Sequence, residues 1–409
     1  MEQFVSRPYK LFNRILNYEW GAKNGNAYIP ALLGETPEPG KPYAELWIGA
    51  HPNAPSETEY GGKKILLGRL IEKYPFEFLG AYAAKKFSNR FPFLLKVLSA
   101  EKALSIQTHP DKRQAKKLHA ADPLHYPDDN HKPEIAIAID SLTAVAGFRS
   151  VNEIKEKLRF MNELDDLTGK RSIEKIFNAG GGKEAEGLIR ELYGDIMKKA
   201  ADEKALSECL VKIRGRLKNK KNPSADEELF LEQYELFGAD VGLLSFFFFN
   251  IVKLKPHQAV FTGAGVPHAY IKGNIIECMA NSDNVVRAGL TGKYKDIDTL
   301  LDIVRFDFKH CEILNPGQQP DEVTYRTGAK EFEVSLYRKP AGFAKNIKTD
   351  DRPLVFLVTA GTIRLKWNSE GKFFSEKYSK GDSVFIPASL YEFEISTDIP
   401  SEYYIVRIP

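Results

Sequence analysis

The hydrophobic period of this 409-residue chain changes twice, and that change restricts the fold more than any single motif. Up to about Val145 the apolar residues come in short runs broken by glycine and proline: AELWIGA, FPFLLKVLSA, ALSIQTH, EIAIAID and LTAVAGF. Runs of this length with turn signals between them read as strands of a sandwich or barrel. From Ser150 the apolar residues recur three and four apart, in VNEIKEKLRFMNELDDL, SIEKIFNA, EAEGLIRELYGDIMKKA and ALSECLVKIRGRLKNK. That is the spacing of amphipathic helices, and Asn152 and Ser172 are expected as caps. Another helix is expected over about Ala225–Phe237, and a short basic one over Lys112–Ala120. β-structure is expected to resume in GADVGLLSFFFFNIVKLKP and to continue through the alternating run LVFLVTAGTIRLKW. The chain is thus expected to be mainly β, with a helical segment inserted into the β-structure.

Composition narrows the class. Apolar residues make up 43% and charged residues 28%, the proportions of a globular protein. A net charge of +3 argues against nucleic-acid binding as the main activity. Cys209, Cys278 and Cys311 show no Cys-x-x-Cys spacing, which suggests a reducing compartment and no disulfide framework. MEQFVSRPYK has no apolar leader core, and LLSFFFFNIV is too short to span a bilayer and carries Asn250. A cytoplasmic protein with no membrane or nucleic-acid partner is the expectation.

Three stretches carry candidate ligands. In SIQTHP, Gln107 and His109 lie two apart on a strand and project from one face, with Thr108 on the other. In HKPEIAIAID, Glu134 heads an alternating strand, and in GAGVPHAYIKGNIIECMANSDNVVRAGLTGKYKD, His268 follows a Gly/Pro turn into another. Gln107, His109, Glu134 and His268 together form a mixed nitrogen and oxygen set suited to a zinc-like divalent ion. Two neutral imidazoles, an amide and one carboxylate would leave such a site with net positive charge.

SIQTHPDK, HKPE and VPHAYIKGNIIECMANSDNVVRAGLT with its trailing GKYKD resemble the type I phosphomannose isomerases, as do YEWG (Tyr18–Gly21) and AELWIGAHPNAPS (Ala44–Ser56). The resemblance runs from the N-terminus to about Asp296, in order. It implies an aldose–ketose isomerase that interconverts mannose 6-phosphate and fructose 6-phosphate through an enediol, with one zinc ion per chain and no other cofactor. It also implies that Arg287 and Lys293 steady the enediolate and the phosphate. Ser105, on the face of Gln107, is a further phosphate candidate. His131, Lys132 and Glu277 are the candidates for proton carrier, and the residues do not choose among them. Trp20, Lys96 and Tyr270 are expected to wall the pocket. His51 sits in a turn-rich motif with a structural role equally open, while His119, His125, His257 and His310 have no motif context. One departure is Thr108, where the family more often has a small apolar residue between the two ligands.

The C-terminal stretch GDSVFIPASLYEF resembles a cupin strand–turn–strand, and VFIPASLY is similar to VFTGAGVPHAY (Val260–Tyr270). Tyr391 stands where the earlier unit has His268, and no histidine lies between Thr324 and Pro409. The expected plan is therefore a pair of cupin-like (jelly-roll) β-domains, one metal-binding and one metal-free, plus a helical domain. The expected bounds are 1–149 and 243–323 for the catalytic unit, 150–242 for the helical insertion and 324–409 for the metal-free unit. A monomer is expected. The competing reading is a metal-binding cupin oxidoreductase or sugar-binding protein, disfavoured because Gln107 replaces a histidine that redox iron more often uses.

Overall fold

A computed structural model describes residues 4–169, 171–317, 321–369 and 371–409. The first three residues of the stretch weighed as a leader lie outside them. Every strand pairing among the described residues is antiparallel.

The largest sheet is built on the strand His268–Ala280, thirteen residues long. Its second half pairs with Glu134–Ala138 on one side and Phe93–Ala100 on the other. Its first half pairs instead with Leu142–Phe148 and, at His268, with Ile106–Thr108. The change of partners falls at Gly273, whose φ is +133°. A Cβ there would lie 2.5 Å from the Ser141 carbonyl oxygen, so only glycine lets one strand turn between two sheet segments.

Phe93–Ala100 and Glu134–Ala138 are buried along their whole length, which is why they read as near-continuous apolar runs. One face of this sheet carries Leu95, Val97, Ile135, Ile137, Ile276 and Cys278, packed against Val334, Leu336, Val355, Leu357, Phe385 and Val406 of the C-terminal part. The alternate residues, Lys96, Glu134 and Glu277 among them, turn to the opposite face.

The C-terminal part is a sandwich of a six-stranded and a four-stranded sheet. Phe356, Val358, Leu365, Ile395 and Ile405 fill the space between them. The six-stranded sheet also takes in Tyr9–Leu11, which pairs with Ser383–Ile386. The N-terminal strand thus crosses the boundary expected from sequence.

Between Phe148 and Phe249 lies a run of helices from Val151–Leu158 to Ala225–Phe237. The stretch VNEIKEKLRFMNELDDL divides into Val151–Leu158 and Glu163–Thr168. Its cap is Ser150, in a capping box with Glu153, rather than Asn152. Ser172 is the first residue of its helix, and the Asp165 carboxylate accepts its N–H. Buried Leu192, Tyr193, Leu210, Ile213 and Phe230 meet Phe148 and the Phe246–Phe249 run in one core. That packing also explains why GADVGLLSFFFF is not a strand. Val241–Leu244 is a 3-10 turn and Ser245–Phe248 a helical one, with the strand beginning at Phe249. Three helices not expected from sequence, Tyr28–Leu33, Leu67–Lys73 and Pro75–Lys86, also interrupt the β-runs before Val145. Leu67, Leu70, Ile71, Phe78, Leu79 and Ala83 carry the helical spacing there and are buried.

Candidate metal centre and active site

Three of the four candidate ligands sit where a strand begins or ends. Glu134 opens Glu134–Ala138 and His268 opens His268–Ala280. His109 follows directly on Ile106–Thr108, and Gln107 within that strand lies opposite His268 on one side and Arg287 on the other. His109, Glu134 and His268 are buried and offer ligand atoms that all lie within 4.8 Å of one another. His268 Nε2 is 3.0 Å from Glu134 Oε2, and His109 Nε2 is 3.5 Å from Glu134 Oε1.

The hydrogen bonds behind the rings fix their tautomers. His109 Nδ1 faces the Asn284 carbonyl oxygen at 2.8 Å, and His268 Nδ1 faces that of Val266 at 2.9 Å. A carbonyl only accepts, so both Nδ1 atoms carry the proton and both Nε2 lone pairs point at the Glu134 carboxylate when the rings are neutral. Burial pushes the His109 imidazole down to about 4 against the pull of Glu134, so it is neutral near pH 7. Its Nε2 is buried without a hydrogen bond. Burial pushes the Glu134 carboxyl upward, but Lys132 and His109 outweigh it and hold the group well below the usual carboxylate range. Two imidazole nitrogens and a carboxylate converging on one buried point make a donor set that fits a zinc-like divalent ion, with the register allowing Gln107 to join.

Around this centre the inner sheet face carries a charged row. Lys132 Nζ is 3.0 Å from Glu134 Oε1. Lys96 Nζ lies 3.2 Å from Glu277 Oε2, 3.5 Å from Glu45 Oε2 and 4.8 Å from the Trp47 ring centroid. Burial disfavours its charge, yet Glu45 and Glu277 more than restore it and hold its pKa above the ordinary value. The Glu277 carboxyl is raised, by burial first, with Lys96 opposing and Glu134 adding. Trp47 donates its indole N–H to Glu45. Glu45 and Trp47 were not singled out from sequence. The signal was present in AELW, where residues two apart face the same side as Lys96, the cross-strand partner of Trp47.

The remaining predicted residues are placed unevenly. Tyr270 is buried, with its ring centroid 6.2 Å from that of His268. Trp20 is half-buried, stacked on Tyr18 and packed near Tyr270. Arg287 is half-buried in register with Gln107, and burial lowers its pKa. Ser105 is half-buried just before the Gln107 strand, and Lys293 is exposed on the turn after Val286–Gly289. His131 points elsewhere: its Nε2 is 2.9 Å from Glu331 Oε1. His51 is buried edge-on to Trp47 and 3.5 Å from Asp283. His119, His125, His257 and His310 contact Tyr126, Asp122, Glu402 and Glu153, outside the centre.

Antiparallel sheets of this layout with a buried His–Glu–His set define a cupin-like protein with a metal-capable centre. Residues 9–151 match the family model of the phosphomannose isomerase type I catalytic domain. The chain is 36% identical to mannose-6-phosphate isomerase 2 of Arabidopsis thaliana, over 92% of this chain and 88% of that protein. It is 38% identical to the mannose-6-phosphate isomerase of Rattus norvegicus, over 87% and 88% of the two chains. Among solved structures, a mutant of phosphomannose isomerase from Salmonella typhimurium superposes with a TM-score of 0.85 at 29% identity over 98% of each chain. A mannose 6-phosphate isomerase bound with zinc and yttrium superposes at 0.82, with 28% identity over 98% of each chain. The chain belongs to the type I phosphomannose isomerase family.

Proposed function

We infer that this chain is a zinc-dependent aldose–ketose isomerase that interconverts mannose 6-phosphate and fructose 6-phosphate. The observation that carries the reading is the convergence of His109, Glu134 and His268 on one buried point beside the buried carboxyl of Glu277, in a chain of this family. A zinc ion held by His109, Glu134, His268 and Gln107, one per chain, would supply Lewis-acid polarisation of a sugar oxygen.

The chain's own residues supply the rest. The reaction moves a proton between adjacent carbons through an enediol, so it needs a group that takes the proton and returns it. Glu277 is the proposed carrier, because its raised pKa brings a buried carboxyl nearer the working pH. Lys96, paired with Glu45 and Glu277, holds that carboxylate in place. Lys132 is engaged by Glu134 and ranks behind Glu277 as carrier. His131 is engaged by Glu331 and ranks behind both. Arg287 is proposed to steady the enediolate, Lys293 and Ser105 to take the phosphate, and Trp20 and Tyr270 to wall out water. The division into catalytic (1–149 and 243–323), helical (150–242) and metal-free (324–409) units belongs to this proposal, with Tyr9–Leu11 moved to the sheet of the metal-free unit, as does a cytoplasmic monomer. The free, unbridged cysteines support a reducing compartment, and no described helix is long and apolar enough to cross a membrane.

The test is metal analysis joined to a coupled assay for fructose 6-phosphate formation. Chelation is expected to abolish turnover and zinc to restore it, His268→Ala to lose the metal, and Glu277→Gln to keep the metal while losing turnover. A zinc-loaded protein that left mannose 6-phosphate unchanged would overturn the reading.

A further inference from the structure

The two histidines of the centre are oriented by carbonyls of very different origin. The Val266 carbonyl that takes the His268 Nδ1–H is two residues away, within the same turn. The Asn284 carbonyl that takes the His109 Nδ1–H is 175 residues away. Its position relative to His109 therefore depends on how distant segments of the chain are tied together.

Besides the Asn284 N–H bond to Ser282 Oγ at 3.2 Å, the tie runs through the Asn284 side chain. Asn284 is fully buried, and its Nδ2 faces the Asp128 carbonyl at 2.7 Å, Asp128 Oδ1 at 3.2 Å and the Asn130 carbonyl at 3.0 Å. With acceptors on that side, the amide can only be placed with its NH2 toward the 128–130 loop. Further bonds close the same clamp. Asp128 Oδ2 accepts the Asp283 N–H at 2.7 Å, Asn130 Nδ2 donates to the Asn281 carbonyl at 2.9 Å, and Ser282 Oγ donates to the Asn130 carbonyl at 3.1 Å. The 128–130 loop runs directly into Lys132 and Glu134. One buried amide therefore ties the segment that orients His109 to the segment that delivers Glu134.

We propose that Asn284 is a positioning residue for the metal centre: its side-chain clamp on the 128–130 loop fixes the carbonyl that sets the His109 tautomer, and so aims His109 Nε2 at the ion. The proposal rests on the reading of His109 as a ligand. A loosened carbonyl lets the ring rotate or take the Nε2–H tautomer, which withdraws one donor without removing any ligand residue.

The experiment is a competition between the protein and a chromophoric chelator for zinc. It is run on the parent, Asn284→Ala, Asp128→Ala and His109→Ala, with nitrogen NMR of the histidine rings in the metal-free proteins. Asn284→Ala and Asp128→Ala are expected to bind zinc about 10- to 100-fold more weakly with unchanged stoichiometry and to lose the protected His109 Nδ1–H signal. Asp128→Ala loosens the clamp from the other loop and decides the question if Asn284→Ala does not fold. Zinc affinity within twofold of the parent in the folded variants, with only a lowered melting temperature, would make the clamp ordinary packing and overturn the proposal. A His109→Ala protein that held zinc like the parent would overturn the ligand assignment and this inference with it.

Discussion

Arg287 and Lys293 differ in setting although six residues separate them. Arg287 is half-buried on a strand beside Gln107, whereas Lys293 is exposed on the turn that follows. A phosphate dianion is met most cheaply at the rim, where an ammonium stays hydrated until it binds, and a charge-assisted bond there contributes roughly 1.5–3 kcal/mol. Lys293→Ala is accordingly expected to lower kcat/KM for mannose 6-phosphate by about one to two powers of ten while leaving that for free mannose nearly unchanged. An equal fall for the two sugars would show that Lys293 does not read phosphate. Arg287→Lys is expected to lose turnover as well, since an ammonium cannot reproduce the guanidinium fork.

At the scale of the element, the His268–Ala280 strand does two tasks. Its first residue enters the metal centre, and its later part presents Glu277 to Lys96 and Cys278 to the C-terminal sheet. Both depend on the turn at Gly273. Gly273→Ala is expected to destabilise the protein by about 2–3 kcal/mol or more, since it combines left-handed backbone strain with a Cβ driven into the Ser141 and Leu142 backbone. Chemical denaturation measures the loss, and zinc content measured alongside is expected to fall with it. An unchanged denaturation midpoint would show that the strand does not need glycine to change partners.

At the scale of the molecule, the main sheet is covered on both faces, by the active-site interior on one and by the C-terminal sandwich on the other. Removing residues 324–409 would bare Leu95, Val97, Ile135, Ile137 and Ile276, so the truncated chain is expected to aggregate or to expose dye-binding apolar surface. A soluble truncated protein with native zinc content would show that the covering is dispensable. A polar contact crosses the same junction. Burial raises the Glu331 carboxyl, but His131 and backbone N–H groups outweigh it and hold it below 4.5. The unfolded chain therefore protonates this group first as pH falls. The stabilisation is complete above about pH 4.5 and is lost as pH drops through the depressed native value. Urea midpoints of the parent and Glu331→Gln are expected to differ at pH 7 and to converge as pH falls through that depressed value. A difference that persisted at low pH would place its source elsewhere.

Local pattern alone determined the β–helix–β order, because apolar periodicity is a property of neighbouring residues. His109, Glu134 and His268 were also legible as a candidate set, since two imidazoles and a carboxylate at strand ends limit what they can do. The buried strand Phe93–Ala100 was legible as a continuous apolar run, whereas the short helices Leu67–Lys73 and Pro75–Lys86, set among strands, were passed over although their apolar residues carry the helical spacing. Only the tertiary structure decided that Glu45 and Trp47 join Lys96, that His131 turns to Glu331, that Asn284 stands behind His109, and that Tyr9–Leu11 completes the C-terminal sheet. Each of these contacts is fixed by strand register or loop closure between segments far apart in the chain, and a local sequence pattern does not specify which distant segment a strand will pair with.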